Sequence, residues 1–394
     1  MATRRITYRL YPTPAQAAKL EEYLELHREL YNAALQERKG AYHIAGVSLS
    51  YYNQQNQLPE IKKIRPDLVP LGSHAAQETV RRVDRAFQAF FRRCQEGKRG
   101  KKGFPRFRSP RTFRSFTYPD QAGWKLLPGK LKISTIGEIK LRGKARSPGI
   151  PTTCTIKRID GRWYASITMD CEPRRASLGT AVVGIDLGLE KFAALSNTKD
   201  IEHPRLLKQS LFKLKAEQRS LSRKRRGSRR YEKQRKRVAG LHRQVTNRRK
   251  EFLHQESARL VKEYAAICIE IMAVAQMSRK GGARKRGLNR AMADASWSAF
   301  CKMLEYKCGE AGIAFGPVSA RKKATQICAN CGAEQKKELR ERRHDCAQCG
   351  FSTHRDHNSA LVVLLLGLGT SLSVERQTST RRGKSLRRSA KLHL

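Results

Sequence analysis

Acidic side chains are scarce in this chain. Thirty-four Asp and Glu stand against 82 Lys and Arg in 394 residues, a formal net charge of +48. Such an excess repels itself unless a polyanion neutralises it. The charge runs through segments with folding patterns rather than one tail, so nucleic acid is the expected partner. A disulfide framework is missing too. Six of the ten cysteines (Cys94, Cys154, Cys171, Cys268, Cys301, Cys308) share no spacing, which fits a reducing cytoplasm better than a secreted scaffold. Residues 1–13 lack the apolar run of a signal peptide. The longest uncharged stretch, 360–374, is too short to cross a bilayer; it reads as a buried helix ending near Gly367 and Gly369.

What is present is ordered along the chain. Residues 5–11 alternate as a strand does, and Pro12 and Pro14 end it. Thr13 and Pro14 then resemble a helix start, and Leu20, Tyr23, Leu24, Leu30, Tyr31 and Leu35 follow at helical spacing. A second helix is expected over 75–94, with Val80, Val83, Phe87, Phe90 and Phe91 as its stripe. Next, Phe104, Phe107, Phe113, Phe116 and Tyr118 interleave with arginines. That pairing serves base stacking with phosphate contact, or equally an ordinary strand pair with arginines outward. Strand-like runs at 130–134, 138–141, 154–159 and 163–169 complete a β-barrel or open sheet into which the helices look inserted. From 181 a new pattern begins. An apolar strand carries Asp186 near its end, and 192–196 supply a hairpin partner. A basic helical hairpin is expected over 206–260, turning at Arg226, Gly227 and Ser228. Its one-signed charge favours contact with a nucleic-acid backbone over a merely solvated face. A strand ending at Glu270, a basic flexible loop over 281–285, a helix over 297–311 and a strand over 313–318 follow.

Cys328 and Cys331, then Cys346 and Cys349, form two C-x2-C pairs fourteen residues apart. Two such pairs complete a tetrahedral Zn2+ site, and four thiolates close the shell, so this zinc is structural. His344, His354 and His357 lie nearby and read as surface residues rather than ligands. Three carboxylates stand apart: Asp186 and Glu270 at the ends of apolar strands, and Asp356 opening a helix. A carboxylate among apolar residues is costly unless it meets a cation or a base. Converging, the three can hold two Mg2+ roughly 4 Å apart, as two-metal phosphodiester hydrolysis requires. Strand-end aspartates also cap turns, and spacing alone does not show convergence.

In this order the motifs resemble the TnpB family of transposon-encoded, RNA-guided nucleases, relatives of compact type V CRISPR effectors. The resemblance runs along nearly the whole chain. Residues 8–16 look like the family's opening, and 82–91 and 103–107 like its next landmarks. Gly184-Ile185-Asp186-Leu187-Gly188, Ile269-Glu270 and Arg355-Asp356-His357-Asn358-Ser359-Ala360 look like its three RuvC-type nuclease motifs. The cysteine pairs look like its zinc ribbon. The resemblance implies an α+β and α/β multidomain protein. A β-barrel wedge domain would span 1–11 and 97–178, and an inserted helical recognition domain 12–96. An RNase H-like RuvC nuclease domain would span 179–372, with the zinc-ribbon insertion at 320–352 and a disordered basic tail at 373–394. It implies an RNA-guided DNA endonuclease with Asp186, Glu270 and Asp356 as catalytic Mg2+ ligands and Cys328, Cys331, Cys346 and Cys349 as Zn2+ ligands. The implied partners are a guide RNA and double-stranded target DNA, opened to a single-stranded intermediate beside a short target-adjacent motif. A monomer in a prokaryotic cytoplasm, at the nucleoid and away from membranes, is expected.

The chain departs from the family pattern in three places. Ile271 and Ala273 stand where an acidic residue and an asparagine are usual, and His354 replaces the first Asp of the third motif. These are candidates for orienting the metal ligands. The three carboxylates are retained, so an active nuclease is expected. The alternatives are a nuclease-impaired guided repressor and a guide-independent transposase acting on transposon ends.

Overall fold

The computed structural model describes residues 2–96, 103–143, 149–172, 179–278, 281–338 and 341–369. The expected tail at 373–394 lies outside them. The chain divides into two compact units, Met1–Pro173 and Arg174–Leu394, each with α and β structure. Among the described residues no helix is long and apolar enough to cross a membrane.

The first unit opens with strand β1 (Ala2–Tyr11). Helix α1 (Pro14–Ala45) starts at a capping box: the Thr13 hydroxyl accepts from the Gln16 amide, and the Gln16 side chain accepts from the Thr13 amide. It runs past the expected periodic stretch and stops at Gly46, whose φ of 66° only glycine adopts cheaply. Short helices α2 (Tyr51–Asn56) and α3 (Leu58–Ile64) precede α4 (Ser73–Gln95), which buries Val80, Val83 and Phe87. Strands β2 (Ser115–Tyr118), β3 (Trp124–Leu127), β4 (Lys130–Ile133), β5 (Gly137–Arg142), β6 (Ile150–Ile159) and β7 (Arg162–Cys171) follow.

These strands form one antiparallel sheet in the order β2-β6-β7-β1-β5-β4-β3. β1 is its central strand, so α1 to α4 interrupt a sheet that the first residues had already begun. The expected barrel is an open sheet, since among the described residues no ladder joins β2 to β3. Helix α4 takes the place of a neighbour for β2: Arg82 donates to the Ser115 carbonyl and hydroxyl. That contact covers the Ser115 carbonyl at the start of this edge strand. The interleaved aromatics separate into two kinds. Phe113, Phe116 and Tyr118 are core residues, whereas Phe104 and Phe107 are exposed. Base stacking is therefore open only to the second pair.

The second unit begins with β8 (Ala181–Leu187), β9 (Lys191–Leu195) and β10 (Ile201–Glu202). The basic hairpin is α5 (Leu206–Ser222) and α6 (Arg229–Glu263), turning at Gly227 with φ 84°. Then come β11 (Tyr264–Ile271), the short α7 (Val274–Met277), α8 (Ala283–Ala295), α9 (Trp297–Ala311) and β12 (Ala314–Ser319). The hairpin β13 (Arg343–Asp345) and β14 (Ser352–His354) leads into α10 (Arg355–Gly367). Of the flexible loop expected over 281–285, Gly281 and Gly282 stay outside any helix, and residues 283–285 instead begin α8. That helix is held by burial of Met292 and Ala295, and by Asp294, which accepts from the Leu207 amide at 2.9 Å and from Arg249 at 2.7 Å.

The main sheet runs β10-β9-β8-β11-β12, with β8, β11 and β12 parallel and β9 antiparallel to β8. Parallel neighbours need long crossovers, which α5 with α6 and α8 with α9 supply. Val183, Ile185, Ile267 and Ile269 are fully buried, as strands covered on both faces require. Helix α10 lies close on β8. A Cβ at Gly184 would stand 2.0 Å from the Ala360 carbonyl oxygen, and one at Gly367 would stand 2.5 Å from Cys268. The two glycines therefore set how near the helix comes to the sheet.

Candidate active site

β8 and β11 run in parallel register with Ile185 opposite Ile269. The next residue on each strand is a carboxylate, so Asp186 and Glu270 lie on adjacent strands at the same level. Both are buried, at 6% and 7% exposure. Asp356 comes from the first turn of α10, brought there by the docking at Gly184. Burial raises the Asp186 carboxyl well above the usual range, and the nearby charges of Glu270 and Asp356 raise it further. Burial raises Glu270 as well. Asp186 thus lies within electrostatic reach of both other carboxylates expected from sequence. The oxygens of the three do not all come within 4.8 Å of one another; among the described residues only the four cysteines form such a group.

The surroundings orient these groups. Arg355 pairs with Asp356 at 3.3 Å and draws the Asp186 carboxyl downward, opposing burial. The buried Ser359 hydroxyl also favours ionised Asp186, though it stands outside hydrogen-bond geometry. His354 is at the surface, as expected, and it also caps α10: its Nδ1 accepts from the Asp356 amide at 3.2 Å. It thereby does the work of a capping aspartate. His357 is not free either. Its Nε2 donates to the Ser196 carbonyl at 2.8 Å, and Ser196 in turn bonds Gly184 through both its amide and its hydroxyl. The end of β9, the middle of β8 and the start of α10 are so joined by one polar chain. Oxygen donors of this kind, crowded and short of cations, suit a hard divalent ion that keeps part of its water.

The cysteines form a second centre. Cys328 and Cys349 stand 3.7 Å apart, and Cys331 and Cys346 3.6 Å apart. Zn–S bonds of about 2.3 Å in a tetrahedron place sulfurs about 3.8 Å apart, so the four thiols fit that ion. Each pair sits on the same turn. The Gly332 amide donates to the Cys328 carbonyl, and the Gly350 amide to the Cys346 carbonyl. Both glycines have positive φ, 74° and 72°. Burial pushes the Cys328 thiol up to about 12, while hydrogen bonds from Asn330 and the Phe351 amide bring exposed Cys349 down to about 6. A bound cation would deprotonate all four. His344, also expected at the surface, is fully buried and meets Lys337 rather than the thiols.

Four residues shape these centres in ways that sequence reasoning does not assign to them. Gly184 reads only as part of the first motif and Ser196 only as the end of a hairpin strand, without the contacts they make. Asp294 lies between the loop expected over 281–285 and the helix expected from 297, where the sequence pattern assigns no element. Asn358 is fully buried and ties α10 to the first cysteine pair.

Comparison with known proteins bears on the family of the chain. Residues 166–281 match a family described as "Probable transposase" (OrfB_IS605), and residues 297–363 match "Cas12f1-like, TNB domain". Residues 1–46 match a "Helix-turn-helix domain", although here they fold as β1 and the single helix α1. A "Putative RNA-guided DNA endonuclease" of Streptomyces pristinaespiralis is 32% identical over 392 residues, covering 97% of this chain and 94% of the relative. InsQ of Escherichia coli K12, described in the same words, is 27% identical over 377 residues, covering 91% of each chain. Among solved structures, a Cas12f1-sgRNA-target DNA complex shares 16% identity over 92% of this chain and 99% of that one, with a TM-score of 0.34.

Proposed function

This chain belongs to the TnpB (OrfB_IS605) family, and on that premise we propose that it is an RNA-guided DNA endonuclease whose cutting centre is Asp186, Glu270 and Asp356. The observation that carries the site is the buried Asp186 carboxyl, crowded by Glu270 and Asp356 at the ends of parallel strands. Such crowding is unfavourable in the free protein and becomes favourable around divalent cations. Asp186, Glu270 and Asp356 would hold Mg2+ there, which when bound would supply the Lewis acidity that phosphodiester hydrolysis needs. The chain's own residues do the rest. β8 and β11 hold two carboxylates on rigid strand ends, and α10 presents the third. Arg355, paired to Asp356, limits the negative charge of the site and aligns that carboxylate. Ile271 and Ala273 add no polar partner at the end of β11.

The four cysteines, spaced for Zn2+, would hold the ribbon 320–352 as an insertion in a RuvC-type nuclease domain spanning 179–372. In the first unit, the sheet (1–11 and 97–178) and the helices (12–96) would grip the guide RNA and read a short motif beside the target. The guide would read the remaining sequence by base pairing. The exposed arginines of α5 and α6 would follow the heteroduplex backbone. Two experiments test this function. The chain is expressed with its native flanking DNA, and the RNA that purifies with it is sequenced. A discrete RNA with a constant scaffold and a guide end is expected; random RNA washed off by moderate salt would sink the guided reading. With that RNA, Asp186→Ala should bind target and fail to cut it in Mg2+, whereas undiminished cutting would remove the site assignment.

A further inference from the structure

We propose that Asn358 is a positioning residue that makes zinc occupancy of the ribbon and the placement of Asp356 a single mechanical unit. The inference rests on the function and site proposed above. Asn358 sits in the first turn of α10, two residues after Asp356, and is fully buried. Its amide brackets Cys328, the first cysteine of the first pair. Nδ2 donates to the Ile327 carbonyl at 2.7 Å, and Oδ1 accepts from the Ala329 amide at 3.0 Å. Those two backbone groups flank Cys328, the most buried of the four thiols.

The second cysteine pair reaches the same helix from the other side. After Cys349 the chain enters β14, which pairs with β13, and ends in His354, the cap of α10. The Arg355 amide adds a bond to the Arg342 carbonyl at 2.8 Å. One pair is therefore joined to the start of α10 through the chain, and the other through Asn358. A zinc ion bridging the two pairs closes a ring: Cys328, zinc, the second pair, β14, the α10 cap, Asn358 and back to Cys328. Asp356 stands inside that ring. Without the ion, or without Asn358, the ring opens, and the helix start keeps its contacts to the strands and its Arg342 bond but loses the closed link to Cys328. A side-chain amide with both ends bonded to backbone is a rigid link, because either bond lost leaves a buried polar group unpaired.

The test uses the full-length chain with its guide RNA. Zinc release into excess chelator is followed with a chromophoric reporter, and Mn2+ binding to the carboxylates by electron paramagnetic resonance, with Asp186→Ala identifying which Mn2+ signal belongs to that site. Asn358→Ala should release zinc about tenfold faster, the scale seen when groups supporting metal ligands are removed. Zinc-stripped wild type and Asn358→Ala should both bind Mn2+ about tenfold more weakly. Glu270→Gln, outside the ring, should release zinc at the wild-type rate. Should Asn358→Ala not fold, Asn358→Asp keeps the Ala329 bond and loses the Ile327 bond, and its zinc should leave faster than wild type. Wild-type zinc release and Mn2+ affinity in the folded variants would overturn the proposal, as would unchanged Mn2+ affinity on zinc removal. These readouts need no cutting. A wild type that never cleaves but shows the coupling would refute the function and leave the ring standing; normal cleavage without coupling would do the reverse.

Discussion

Asp186 illustrates at the residue scale how a site can oppose stability. Burial and two neighbouring carboxylates raise its native pKa above its unfolded value. The native state then binds the extra proton. Stability from this source is complete below the unfolded pKa of about 4 and declines as pH rises through the native value. In buffer with no divalent cation beyond the ribbon's own, thermal melts of the wild type should therefore weaken from acid toward neutral pH. Asp186→Asn should flatten that slope and melt a few degrees higher at pH 8, while losing Mg2+-dependent cutting. An Asn variant less stable than wild type at pH 8 would show that the charge is already compensated. Gly184 makes the opposite case. Its absent side chain lets α10 approach, so Gly184→Ala should cost about 1–3 kcal/mol or more and displace Asp356. Urea unfolding and a cleavage assay check both effects, and a fully active, equally stable variant would contradict the close packing.

The basic hairpin, at the scale of elements, is built for a polyanion. Arg229, Arg230, Lys233 and Arg237 are exposed on α6, while Gln234, Val238 and Val245 face inward. Changing those four cations to Gln should leave the melting temperature nearly unchanged. It should reduce the slope of log affinity for target against log salt by about 3. A slope unaltered by the quadruple change would place these residues away from the nucleic acid. Helix α10 was legible as an apolar run, and its cap was not. His354 stands where an aspartate is usual, and only the structure shows its Nδ1 accepting from the Asp356 amide. Part of the basic loop expected before α9 became the start of α8 for a related reason. Its helical order depends on Asp294 reaching α5 and α6, which no local pattern announces.

At the scale of the whole molecule, a net charge of +48 sets conditions on everything else. The RNA-free chain should melt higher as salt is added, because screening relieves self-repulsion. Binding of the guide should raise the melting temperature and shrink that salt dependence, since the ligand both neutralises charge and binds the native state. Scanning calorimetry of the free chain and of the RNA complex across salt checks both, and a free chain insensitive to salt would contradict the reading.

The sequence by itself determined what short-range chemistry can encode: the alternation of β1, the helix start at Thr13 and Pro14, the strands that end in Asp186 and Glu270, and two cysteine pairs spaced for one ion. It also carried the order of motifs that marks the family. Tertiary structure alone decided that the sheet stays open at β2, that Phe113, Phe116 and Tyr118 are core while Phe104 and Phe107 face solvent, and that three distant carboxylates share one electrostatic environment. The reason is physical. A residue's pattern reports its immediate neighbours along the chain. Parallel register, the approach of α10 at Gly184 and the grip of Asn358 on the cysteine turn are contacts between segments far apart in sequence, and packing alone selects them.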